Sequence, residues 1–253
     1  MNSSATQGID GVEKFTARVL LFASLRDKAG ENVAVTLQRG ATVADLLMEC
    51  EKENPAIAPW LPHVRVAVNC EYAENTQIVN EGDELALLPP VSGGSASTVE
   101  IDRTPTFVDV VTEPIHLEQI VAWAQDALQG GAGAVVPFIG VVRNNAQGRD
   151  VRYLEYHAYP QMARREMERI ARETGERWHV PCAIVHRVGT LQIGEASIVV
   201  AVASPHRGEA FEACRWALDQ TKATVPIWKR EVATDGTYWV EDPLNGQTNS
   251  GAG

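Results

Sequence analysis

The sequence lacks the features that would commit it to a membrane, a metal or a nucleic acid. No apolar run approaches the roughly 20 residues needed to cross a bilayer. The first residues, Met1 to Gly8, are polar and have neither the basic start nor the apolar stretch of a secretory signal. They read as a disordered leader, over 1–15, on a cytoplasmic protein. Four cysteines (Cys50, Cys70, Cys182, Cys214) lie far apart with no C-x-x-C, so they read as buried small apolar groups. Six histidines show no metal-ligand spacing, and no metal site is expected. A net charge of −11 argues against a nucleic-acid partner.

The composition that remains, 45% apolar and 22% charged over 253 residues, suits a globular chain with one large core or two ordinary ones. Charge is unevenly spread. Residues 1–94 carry 7 basic and 13 acidic side chains, whereas residues 143–230 carry 14 basic and 10 acidic. The second stretch therefore either attracts the first or holds an anionic ligand.

The first part reads β-β-α-β-β. "ARVLLFASL" (17–25) and "VAVTL" (33–37) are strand-like, with Gly30 between them. Thr42 with Asp45 resembles a capping box, followed by Val43, Leu46, Leu47 and Cys50 at helical spacing, and Pro55 stops that helix. "VRVAVN" and "ELALLPP" supply two more strands. Two hairpins with a helix packed across them describe a β-grasp domain, over 16–94. Residues 95–105, "SASTVEIDRTP", read as a linker.

The second domain, 106–242, is expected to be α+β. It has an amphipathic helix from Leu117 and strands "AVVPFIGVVR" and "VRYLEYHAY". A basic helix runs from Pro160 to about Trp178, and the strands "CAIVHRVG" and "SIVVAVAS" follow. In the last helix Phe211, Cys214, Leu218 and Thr221 are expected to share the apolar face. A hairpin turns around Asp235-Gly236, and residues 243–253 read as a loose tail.

Several residues could do chemistry. Lys222 lies eleven positions after Phe211, within about 20° of it on a helical wheel. It is either a snorkelling stem at the helix end or an amine held in a pocket, where its pKa would fall. Lys229 lies beyond Pro226, Arg143 ends an apolar strand, and His206-Arg207 opens a helix whose free N–H groups favour anions. Each is an ordinary surface charge or part of a phosphate or carboxylate site. Gly93-Gly94, after the stiff Pro89-Pro90, is either a hinge between domains or a slender tail suited to a narrow channel.

At these residues the chain resembles a known family. "LLFASLRDKAG", "VAVN" and "EGDELALLPPVSGG" resemble the small, ubiquitin-like subunit of molybdopterin synthase, a sulfur carrier that ends in Gly-Gly. "GAVVPFIGVVRN", "LEYHAYPQMA", "IVHRVGTLQIGE", "SPHRGEAFEAC" and "TKATVPIWKRE" resemble its large catalytic subunit, in the same order. The pattern looks like a fusion of the two subunits.

The resemblance implies a reaction. Sulfur carried as a thiocarboxylate on Gly94 passes to cyclic pyranopterin monophosphate and makes the dithiolene of molybdopterin. Matched positions imply Lys222 and Lys229 as catalytic groups, with Gly94 as the sulfur carrier. They imply Val141, Val142, Arg143, His206, Arg207, Arg230 and Glu231 as the substrate-binding wall. No tightly bound cofactor is expected, and ATP is used by the partner enzyme that adenylates and sulfurates the tail. Gly94 is here in an amide bond to Ser95, so cleavage between them is expected to free the carboxylate that must be activated. The resemblance also implies a homodimer of the fusion, or a heterotetramer after cleavage. The alternatives are a non-catalytic sulfur-carrier fusion, or a scaffold in which Gly-Gly is only a hinge.

Overall fold

The computed structural model describes residues 13–90, 104–146 and 148–240. The expected leader, the linker, Gly94 and the C-terminal tail lie wholly or almost wholly outside the described residues. The chain divides into two units, with the boundary between Pro89 and Pro90.

The first unit contains β1 (Lys14–Leu21), α1 (Ala23–Ala29), β2 (Asn32–Gln38), α2 (Val43–Glu53), β3 (Arg65–Val68), β4 (Glu71–Ala73) and β5 (Leu85–Leu88). Its sheet has the order β2-β1-β5-β3-β4, with β1 parallel to β5 and the other pairs antiparallel. That is a β-grasp sheet. The Thr42 capping box forms as expected: Thr42 Oγ1 accepts from Asp45 N (3.3 Å) and Asp45 Oδ2 accepts from Thr42 N (2.8 Å). Val43, Leu46 and Cys50 turn inward from α2.

One boundary differs from the sequence reading. The apolar run 17–25 leaves the sheet at Leu21, and Ala23–Ala29 become helical. The connection to antiparallel β2 must bring Leu25 back into the core, and Ala, Leu, Arg and Lys are good helix formers in such a connection.

The second unit contains β6 (Thr106–Val111), α3 (Leu117–Asp126), β7 (Ala134–Val141), β8 (Asn145–Ala146) and β9 (Arg149–Ala158). It continues with α4 (Pro160–Trp178), β10 (Cys182–Arg187), β11 (Gly189–Gln192), β12 (Ala196–Ser204), α5 (Arg207–Thr224), β13 (Ile227–Ala233) and β14 (Gly236–Trp239). One sheet runs β6-β10-β12-β7, and a second runs β11-β9-β13-β14 with β8 paired to β9.

Helices α4 and α5 cover one face of the first sheet through Met167, Ile170, Val200, Val202, Ala213 and Ala217, among others. Helix α3 covers the opposite face through Ile120 and Ala124 against Ala183, Val199 and Ala201. Strands β10 and β12 are therefore buried on both sides, and they read as nearly continuous apolar runs. Both units mix helices and strands, so the fold class is α+β. No helix among the described residues is long and apolar enough to cross a membrane.

Of the face expected on α5, Cys214, Leu218 and Thr221 are buried as read, and Phe211 alone is corrected. Phe211 is 63% exposed, while Ala210, Ala213, Cys214, Ala217, Leu218 and Thr221 are buried. Small residues let the helix lie close to β12 and β7, and a phenylalanine has no room in that seam. Lys222 shares Phe211's angular position and is exposed as well.

Candidate active site

A cavity of about 650 Å³ opens in the second unit where the first sheet meets the second. That volume falls within the usual range for small-molecule sites. Its charged side chains and its histidine come from four parts of the fold. Strand β7 ends at Val141, and the chain then presents Arg143. Helix α5 presents Lys222 in its last turn, with Nζ 5.7 Å from the centre of the Phe138 ring. Strand β13 presents Lys229 and Glu231, two positions apart and so on one face. Strand β10 presents His186.

The charges are unequal. Lys229 Nζ lies 3.1 Å from Glu231 Oε1, and Glu231 is only 6% exposed, so its carboxylate is committed to that lysine. Among the described residues, Lys222 and Arg143 are further cations on the lining, and Glu231 is the one carboxylate there. A cavity with three cations and one paired anion favours an anionic ligand, and its low-dielectric walls strengthen that preference.

Close packing shapes the wall. A Cβ on Gly140 would lie 2.6 Å from Ile198 Cγ2, so a glycine here lets β7 seat directly on β12. Ser197 Oγ donates to the Gly140 carbonyl at 3.1 Å and ties the same two strands. The His186 ring stands edge-on to Tyr156 of β9, with centroids 5.1 Å apart at 66°, and so bridges the two sheets. Burial pushes the His186 imidazole down to about 4, and only its bond to the Arg187 carbonyl opposes this.

The structure brings Lys222, Lys229, Arg143, Val141 and Glu231 to one cavity. It does not bring Val142, Arg230, His206 or Arg207 there, and Gly94 lies outside the described residues. Val142 is buried, and its backbone pairs with Glu195 and Gly194. Arg230 points away between Lys229 and Glu231, with its guanidinium on Glu155 (Nε to Oε2, 2.6 Å) and over Trp239. His206 and Arg207 stand at the start of α5; the 15 positions from 207 to 222 span about 22 Å of helix. Sequence reasoning missed His186, Tyr156 and Phe138. The available signal was a histidine inside an otherwise apolar strand. Among the described residues no cluster of three or more His, Cys, Asp or Glu side chains is suited to a metal ion.

A β-grasp unit thus precedes, in the chain, an α+β unit with a cation-lined cavity suited to an anionic ligand. Comparison with known proteins makes this specific. The model of the ThiS family matches residues 19–94 and that of the MoaE protein family matches residues 110–224. The molybdopterin synthase catalytic subunit of Pyrococcus abyssi is 44% identical over 130 residues, covering 51% of this chain and 86% of that protein. That of Bacillus subtilis is 42% identical over 137 residues, covering 54% and 85%. The crystal structure of molybdopterin synthase from Staphylococcus aureus superposes with a TM-score of 0.50 at 41% identity, covering 52% of this chain and 95% of that one. The chain belongs to the MoaE family, with a ThiS-family domain in front of it, an arrangement consistent with a fused molybdopterin synthase. It is an enzyme of molybdenum cofactor biosynthesis.

Proposed function

We propose that the second unit transfers sulfur from a thiocarboxylate on Gly94 to cyclic pyranopterin monophosphate and so builds the molybdopterin dithiolene. One observation carries the reading: Lys222 of α5, Lys229 of β13 and Arg143, just beyond β7, converge on a single cavity. Arg143 holds anionic oxygens of the cyclic phosphate. Lys222 moves protons at the pterin side chain or takes the carrier's acyl group as a nucleophile. Lys229, steadied by Glu231, stabilises negative charge as it develops. In each transfer the sulfur stays on the pterin, water hydrolyses the carrier's acyl bond, and the glycine end returns as a carboxylate that must be charged again.

A thiocarboxylate needs a free carboxyl end, so the bond between Gly94 and Ser95 is cleaved before charging. The ThiS-family match ends at Gly94, where such a carrier would stop. Charging is the work of an ATP-dependent adenylating and sulfurating partner in the cytoplasm, and the synthase itself needs no tightly bound cofactor. The assembly is a homodimer, or a heterotetramer once cleaved.

The test replaces Lys222 with Ala in the full chain and follows dithiolene formation, with the mass of the N-terminal fragment as a second readout. The expected result is loss of product by at least about 100-fold, with a fragment that ends at Gly94 and still gains sulfur. Unchanged turnover removes Lys222 from the mechanism, and a single uncut chain that still makes product removes the cleavage step.

A further inference from the structure

One group in the cavity has no task in the reading above. His186 is 8% exposed and lines the cavity from β10, a strand paired on both sides: Val110 of β6 stands opposite it on one flank and Ile198 of β12 on the other. Its Nδ1 lies 2.9 Å from the backbone oxygen of Arg187. A carbonyl oxygen can only accept, so Nδ1 carries the proton in that bond. In the neutral ring Nε2 is then a bare lone pair. Among the described residues no group donates to it. The edge-on contact with Tyr156 and the Nδ1 bond together fix the ring plane.

Nε2 is not a fully enclosed atom: it reaches the cavity, where an N–H or O–H of a bound molecule can take the place of water. The rest of the charged lining is suited to the opposite task, since Lys222, Lys229 and Arg143 are donors and Glu231 is occupied by Lys229. The site therefore has an anion-holding side and a separate acceptor. We propose that Nε2 of His186 accepts a hydrogen bond from an N–H or O–H of the substrate's heterocycle while the cations hold its phosphate. This rests on the proposed function and specifies which group recognises the uncharged end of the substrate. The low basicity that burial imposes keeps the ring neutral near pH 7 and so keeps Nε2 an acceptor.

His186 is here a substrate-binding residue, and its signature is recognition without chemistry. Three full-length proteins are compared: wild type, His186→Phe, which keeps a flat ring against Tyr156 but removes the acceptor, and His186→Gln, which offers an amide oxygen near the position of Nε2. Binding of cyclic pyranopterin monophosphate and of inorganic phosphate is measured by calorimetry, together with KM, kcat and the melting temperature. The expected result is pterin binding about tenfold weaker in His186→Phe, with phosphate binding and kcat unchanged and most of the loss restored in His186→Gln. Should His186→Phe fold poorly, His186→Met against His186→Gln makes the same comparison. Pterin binding as tight in the apolar variant as in wild type overturns this assignment alone, as does equal weakening in the Gln variant. Wild-type protein that neither binds nor converts the pterin overturns the proposed function along with it.

Discussion

The buried state of His186 has a thermodynamic consequence that can be measured without substrate. An imidazole ordinarily titrates near 6.5, and burial lowers this one to about 4. Between those values the unfolded chain binds a proton that the folded chain refuses, so stability rises with pH across that window. The contribution is fully present above about pH 6.5, falls as the solution is acidified, and is exhausted near pH 4. The whole shift corresponds to about 3 kcal/mol, and linkage from 6.5 to 4 gives a loss of about 2 kcal/mol between pH 7 and pH 5. That is a large share of a typical domain stability of about 5–15 kcal/mol. The assay is urea unfolding followed by tryptophan fluorescence, which reports chiefly on the second unit because five of the six tryptophans lie there. With an m-value of about 2 kcal/mol per molar, wild type should lose about 1 M more in midpoint than His186→Phe between pH 7 and pH 5. Both proteins keep Tyr156, Lys222, Lys229, Glu231 and Arg143 around the cavity, and both keep the other five histidines, so those contributions cancel. The chosen window also lies above the carboxylate range, where Asp45 and Glu195 are held low by hydrogen bonds from Thr42 and Gln192. Parallel pH profiles for the two proteins would refute the claim that this ring is buried in its neutral form.

Two further predictions concern backbone and caps. Thr42→Ala removes the Oγ1 arm of the capping box, leaves the backbone bond from the N–H of residue 42 to Asp45, and should cost the first unit about 1 kcal/mol, read as faster amide exchange along α2. Gly133→Ala would bring a Cβ to 2.2 Å from the Pro205 carbonyl oxygen, a backbone atom that cannot swing aside, and should cost more than about 2 kcal/mol. Gly208→Ala, in the first turn of α5 with nothing within 4 Å, should instead gain a few tenths to about 1 kcal/mol. Equal urea midpoints for these two glycine variants would contradict the packing argument.

The parts of the fold that could be read from the sequence are those set by local chemistry. The capping box, the stop at Pro55, the long helix opened by Pro160 and the hairpin at Gly236 each depend on residues within a few positions of one another. The Phe211 assignment failed for a physical reason. Alanines at 210, 213 and 217 carry a weak hydrophobic signal yet fill the seam beside Cys214, Leu218 and Thr221, so the large residue was counted into a face it does not share. Lys222, Lys229 and Arg143 stood out because they punctuate apolar elements. His186 and Tyr156 did not, because their meeting depends on strands 30 positions apart in the chain arriving side by side (186 − 156). Nothing in either local sequence encodes that encounter.

The joint between α5 and β13 sets a limit on how this chain can vary. Only Val225 and Pro226 separate the helix from the strand, and backbone bonds from Val225 to Thr221 and from Tyr159 to Pro226 pin the corner. The interval between the two amines is therefore a property of one short, rigid elbow, whereas their distance to Arg143 depends on how distant strands align. Lengthening that elbow by a single residue would turn β13 over, exchanging the lysine and its carboxylate for the flanking arginine and tryptophan. Insertions here should be far less tolerated than in the Thr234-Asp235 turn that follows β13, where length changes displace neither amine.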